Sequence, residues 1–232
     1  MKKTCFSGIK EYCLAHQRHF SAGRKFLTCM GTILLGAILG YGSEWLEYGM
    51  HTSIAYHQSD ILSGIVLVLN NFSIWIFAAT LIAYHSWSPL GAGLQSFCFL
   101  ISMCISYFIP KHMHYGYSVV LQFALWGAIA LFSTIPAAVI WFSRCLSGWG
   151  IVIKMLPVAA VIGEIAFTVY RCIDYYSPIP GQPAEPLKWL LIPDRIIQLG
   201  VYILFVVLLI LILMKKRDCP KRKRSKEGRR NT

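Results

Sequence analysis

The chain has 232 residues, 56% of them hydrophobic and only 14% charged. Soluble domains carry about a quarter charged residues, so water is excluded as the main solvent. The 22 Lys and Arg against 10 Asp and Glu would suit nucleic acid, but most of them sit in two terminal segments beside long apolar runs. That placement points to membrane topology, and no nucleic-acid partner is expected.

Residues 1–25 form a basic segment containing Lys2, Lys3, Lys10, Arg18, Arg24 and Lys25. About 25 polar residues ahead of the first apolar run, with no A-x-A-like site after it, mark that run as an uncleaved helix rather than a signal peptide. A spanning helix needs about 20 mostly apolar residues to cross about 30 Å of hydrocarbon. Six stretches qualify: 26–41 with an extension to 50, 61–84, 91–109, 118–142, 151–170 and 190–214. They define a transmembrane domain over 26–214 and a polybasic, disordered tail over 215–232.

The first span carries Gly36 and Gly40, small residues at i and i+4 that permit close approach of another helix. Beyond them Glu44, Glu47 and His51, at i, i+3 and i+7, share one face if the helix continues outward. With His112 and His114 on the third-to-fourth connection they form a candidate metal site of carboxylates and imidazoles. The spacing matches no established metal motif, and a solvated rim is the plainer alternative.

In the second span Asn70 and Asn71 lie about 15 Å from the outer end and must face protein or a cavity. Amides at such depth usually hydrogen-bond between helices; a solute or ion path is the other possibility. The fourth span holds Gln122 and Pro136. The fifth holds Pro157, which with Pro136 predicts a kinked helix, and Glu164 inside the run Val158–Phe167.

Glu164 lies about 13 residues from the start of its span, roughly 20 Å along the helix. A charge at that depth costs several kcal/mol unless it is paired, hydrated or protonated, so it is either a functional group or an interhelical link. Asn70, Asn71 and Gln122 are available partners, and Arg171, seven residues on, shares its helical face. Pro178, Pro180, Pro183 and Pro186 stiffen the connection to the last span. Neither H-E-x-x-H nor G-x-S-x-G occurs, so no enzymatic activity and no cofactor are expected.

Counting Lys and Arg along six alternating spans places 18 on the side of the two termini and four, Lys111, Arg171, Lys188 and Arg195, on the other. The positive-inside rule then puts both termini in the cytoplasm. Of the eight cysteines, only Cys172 falls near the outer face, so no disulfide is expected within one subunit. The tail carries ten basic residues and would attract anionic lipid at about 1 kcal/mol per well-placed charge.

The run Asn71-Phe72-Ser73-Ile74-Trp75-Ile76-Phe77-Ala78-Ala79-Thr80-Leu81-Ile82-Ala83-Tyr84 and the following Ser86-Trp87-Ser88-Pro89-Leu90 resemble a family of small bacterial multi-pass membrane proteins with no assigned activity. Phe97-Cys98-Phe99-Leu100, Met103, Ser106-Tyr107 and Trp126-Gly127-Ala128-Ile129-Ala130-Leu131 extend the likeness over residues 31–214. Members often carry a basic residue in the second-to-third connection, where this chain has Trp87 and Gly91. The resemblance implies a bacterial plasma-membrane location and identifies no catalytic residue.

The expectation is therefore an all-α bundle of six spans that acts as a small permease-like or transport-associated protein. The alternatives are a subunit or immunity-type protein that meets a membrane partner, or a second copy, through the Gly36–Gly40 face, and thirdly a membrane-embedded enzyme.

Overall fold

The structure, a computed structural model, describes residues 21–52, 60–116, 119–144, 149–175 and 193–214. The basic segment before residue 21, His57, the side chain of His51, the four-proline connection and the polybasic tail lie outside the described residues. Every described element is helical: α1 (Ala22–Thr52), α2 (Asp60–Leu69), α3 (Phe72–His85), α4 (Pro89–Tyr115), α5 (Val120–Phe132), α6 (Thr134–Phe142), α7 (Trp149–Tyr175) and α8 (Pro193–Met214).

Five stretches are long and apolar enough to cross a bilayer: α1, α4, α5 with α6, α7 and α8. α2 and α3 make a sixth only as a pair bent by 54°. Large apolar side chains such as Phe26, Leu34, Ile38, Leu121 and Phe132 are exposed, as expected when the surrounding solvent is hydrocarbon and not water.

The second span departs from the continuous helix expected over 61–84. Asn70 and Asn71 still send their N–H groups back to Val66 and Val68 carbonyls, but Asn71 is extended, with φ −104° and ψ 157°, and the chain restarts as a helix at Phe72. Asparagine side chains compete with the helical ladder for backbone partners, and a broken span survives in hydrocarbon only where protein satisfies the freed groups. Ahead of Pro136, α5 stops at Phe132 and α6 begins at Thr134. The proline has no N–H and its ring meets the carbonyl four residues back, that of Phe132. Around Pro157, by contrast, α7 is continuous.

α4 is the axis of the bundle. Half of its apolar window is buried, against 17 to 22% for the other four long spans. Its start is specified locally, with Pro89 in the first turn and the Ser88 hydroxyl accepting the Gly91 N–H at 2.9 Å. It ends at Gly116, whose left-handed φ of 66° lets its N–H return to the His112 carbonyl, a conformation costly for any residue with a Cβ.

The closest helix pair is α1 with α4. A Cβ on Gly36 would collide with the Phe99 carbonyl and the Ser102 hydroxyl, and one on Gly40 with the Met103 carbonyl and the Ser106 hydroxyl. The contacts advance together along both helices, so the pair runs parallel. Ser102 and Ser106 bond back to Phe99 and Met103 of their own helix, which keeps the facing surface low. Gly36 and Gly40 are thus engaged inside the chain.

The far end of α3 is closed by α6 and the residues after it. Arg144 donates to the carbonyls of Ala83 (3.1 Å) and Ser86 (3.2 Å), and the Trp141 indole N–H also reaches Ser86 at 3.1 Å. The guanidinium lies 5.1 Å from the Tyr84 ring centre. A cation here satisfies terminal carbonyls and meets the negative end of the helix dipole. Arg144→Ala is expected to lower stability by about 2 kcal/mol, the scale of hydrogen bonds to a charged group, and Arg144→Lys, lacking the planar fork, to recover only part. Detergent-micelle unfolding followed by helical circular dichroism measures both.

Candidate functional site

The break between α2 and α3 is the irregular point in the span, and two acidic clusters meet it from different helices. From α7, Glu164 reaches the start of α3. Its carboxylate accepts from the Ser73 hydroxyl and faces the backbone N–H groups of Phe72 and Ser73. Asn71, at the N-cap position, makes no side-chain capping bond of its own. The oxygen acceptor that a helix commonly takes from its N-cap side chain is supplied here by a carboxyl group of another span.

The positive end of α3 therefore faces Glu164, and its negative end faces Arg144. A half-helix of 14 residues, about 21 Å long, has a hydrogen-bonded carboxyl group at its positive end and a guanidinium at its negative end.

α8 extends this cluster. Tyr202 and Gln198 are fully buried, as is Ser73. The Gln198 amide donates to the Tyr202 hydroxyl at 2.9 Å, and Arg195 donates to Gln198 at 3.1 Å. Tyr202 in turn lies within hydrogen-bonding reach of the Asn71 and Ser73 side chains and in the field of Glu164. A line of polar groups thus runs along α8 from Arg195 to the helix break, between apolar neighbours Phe77, Val201 and Phe205.

The second cluster joins α1, α4 and the break. Glu47 accepts from Lys111 (2.8 Å), Tyr107 (2.5 Å) and Asn70 (3.0 Å), and Lys111 also donates to Tyr107 at 2.7 Å. Both members of the ion pair are largely enclosed, with side-chain exposures of 12% for Lys111 and 18% for Glu47. One turn away, fully buried Glu44 meets His114 Nδ1 at 2.7 Å, and the His114 ring stacks on Tyr48 at 4.0 Å.

The structure brings together only some of the residues singled out from the sequence. Glu164 and Asn71 share the α3 start, linked through Ser73 and Tyr202. Gln122 is elsewhere, in the wall of a cavity with Asn70, Tyr107 and Lys111. Arg171 lies over the Phe167 ring at 5.3 Å, so the counter-charge suggested by its helical face is replaced by a hydroxyl and two backbone N–H groups.

Of the metal candidates, Glu44 takes His114 and Glu47 takes Lys111, while His112 is exposed. Among the described residues no group of three His, Cys, Asp or Glu side chains converges as metal ligands would. The residues missed were Ser73, Gln198 and Tyr202. Arg195, Gln198 and Tyr202 stand at i, i+3 and i+7, a polar stripe on one face of an apolar span, and that spacing would have found Gln198 and Tyr202; a small hydroxyl such as Ser73 carries no such signal.

The chain matches no known protein-family model, no curated protein and no solved structure.

Proposed function

We propose that this is a small permease-like protein of the bacterial plasma membrane, with both termini cytoplasmic, in which the broken α2–α3 span is the moving element and Glu164 the group coupled to its movement. The observation that carries the proposal is the capping of α3 by a carboxylate from α7. A helix N-terminus carries roughly half a positive charge, and discontinuous helices with such ends near mid-membrane are how many transporters build solute and ion sites. Protonating Glu164, or exchanging its carboxylate for an anionic group of a solute, would release the start of α3 from α7. The 18 to 4 distribution of basic residues supports the orientation, and the polybasic tail supports contact with anionic lipid on the cytoplasmic leaflet. A partner-binding role through the Gly36–Gly40 face has no such support, since α4 occupies that face.

The test is uptake of a broad panel of labelled metabolites and ions by cells expressing the protein or its Glu164→Gln variant. The expected result is at least one solute whose uptake falls about tenfold in the variant, a change of about 1.4 kcal/mol, with the variant still helical and inserted. Identical uptake across the panel for the protein, the variant and empty cells would end the transport proposal.

A further inference from the structure

Two cavities adjoin beside the break, with Trp75 of α3, Met103 of α4 and Trp126 of α5 between them. The first, of about 210 Å³, is bordered by Asn70, Tyr107, Lys111 and Gln122. The second, of about 340 Å³, runs between α3, α4, α5, α6 and α7 and is lined almost wholly by apolar side chains, among them Phe72, Leu156 and Ala160. Trp75, Met103 and Trp126 belong to the walls of both. Both open between the helices, with exposed Phe72, Leu156 and Gln122 on their walls, and an apolar space at membrane depth takes hydrocarbon rather than ordered water. A space of this size and polarity has the character of a ligand site: mostly apolar, with a few polar groups at one end.

The polar end also sets the charge of its occupant. Lys111 is matched by Glu47, and the Glu47 carboxylate has three donors, from Lys111, Tyr107 and Asn70. The local formal charge is zero, so an ionised head would enter uncompensated at a desolvation cost, whereas the amides of Asn70 and Gln122 both donate and accept. In the apolar cavity the Ser133 hydroxyl is already bonded to the Ala130 carbonyl at 2.6 Å and asks nothing of a ligand.

We propose that the two adjoining cavities together bind a single-chain neutral amphiphile, with an uncharged hydrogen-bonding head among Asn70, Lys111 and Gln122 and an alkyl chain that passes Trp75, Met103 and Trp126 into the apolar cavity. The site is lined by α3 to α7 and by Asn70; Glu164 borders neither cavity, and binding is read without any transport measurement.

The experiment is quenching of tryptophan fluorescence in the full-length protein, reconstituted in phosphatidylcholine vesicles, by a chain-brominated monoacylglycerol. A brominated alkyl sulfonate of equal length serves as the charged control and brominated phosphatidylcholine as the bulk-lipid control. Saturable quenching by the monoacylglycerol is expected, with half-saturation about tenfold below that of the sulfonate, and its saturable part should vanish in Trp75→Phe/Trp126→Phe. Ala160→Phe, placed at an exposed position on the cavity wall, should raise half-saturation about tenfold; Ala79→Leu, on the same wall, replaces it if that variant fails to fold. Quenching that rises without saturation and equals that of phosphatidylcholine would overturn the proposal. So would sulfonate binding as tight as the monoacylglycerol, or an unchanged half-saturation in a folded cavity-filling variant.

Discussion

Glu47→Ala is expected to destabilise the protein by about 3 to 5 kcal/mol, because it leaves the enclosed Lys111 ammonium without its counter-charge. The pair is separated by 2.8 Å, covered by Tyr107 and Asn70, and largely removed from solvent. Lys111→Met should cost less, since Glu47 would keep two donors, Tyr107 and Asn70. The double variant Glu47→Ala/Lys111→Met removes both charges and should recover most of the loss, giving a favourable coupling of at least about 2 kcal/mol in a double-mutant cycle. Unfolding by denaturing detergent, read by circular dichroism, supplies the four stabilities. A single-variant cost under about 1 kcal/mol would place the pair in the class of solvated surface ion pairs and contradict its enclosure.

Gly40→Leu should be the most damaging substitution that leaves charge untouched, at about 3 kcal/mol, the upper part of the usual range for overpacking. The obstacle facing its Cβ is the Met103 carbonyl, part of the α4 backbone, together with the Ser106 hydroxyl. A hydroxyl can rotate; a helix carbonyl cannot move without its helix. Ser106→Ala should therefore fail to rescue Gly40→Leu. Gly42 is the internal control: it lies on the same helix, and a Cβ there meets nothing within 4 Å. Gly42→Ala is expected to be neutral or stabilising by up to about 1 kcal/mol, since alanine favours a helix over glycine by that amount. A loss at Gly42→Ala equal to that at Gly40→Leu would mean that the close α1–α4 approach at Gly40 is not what makes this segment sensitive.

Both expectations depend on where helices meet, and the sequence speaks unevenly about that. Hydropathy is a sum over neighbouring residues, so the long apolar stretches were legible by themselves, and five to six of them are helices fit to cross a bilayer. Glu164 stood out for the same local reason: a carboxyl in an apolar run must find a partner wherever the chain folds. Gly36 and Gly40 announced a close approach by their size and spacing.

Which groups answer these demands was decided only by tertiary structure, because partner choice depends on the rotation and register of helices far apart in the chain. Gly36 and Gly40 could have faced another protein, yet they receive the carbonyls of α4. Asn70 and Asn71 are compatible with a helix interior or with its interruption. The interruption occurs beside Glu164 on α7, which meets the freed N–H groups of α3, and Arg144 meets the carbonyls at its other end. The sequence by itself determined that a charge, a pair of amides and a pair of glycines must be satisfied within a largely apolar chain. The tertiary structure decided that the carboxyl and the amides are satisfied at one broken helix, because α1, α7 and α8 bring Glu47, Glu164 and Tyr202 to the side chains of Asn70, Asn71 and Ser73 there, and Glu164 also meets the freed N–H groups.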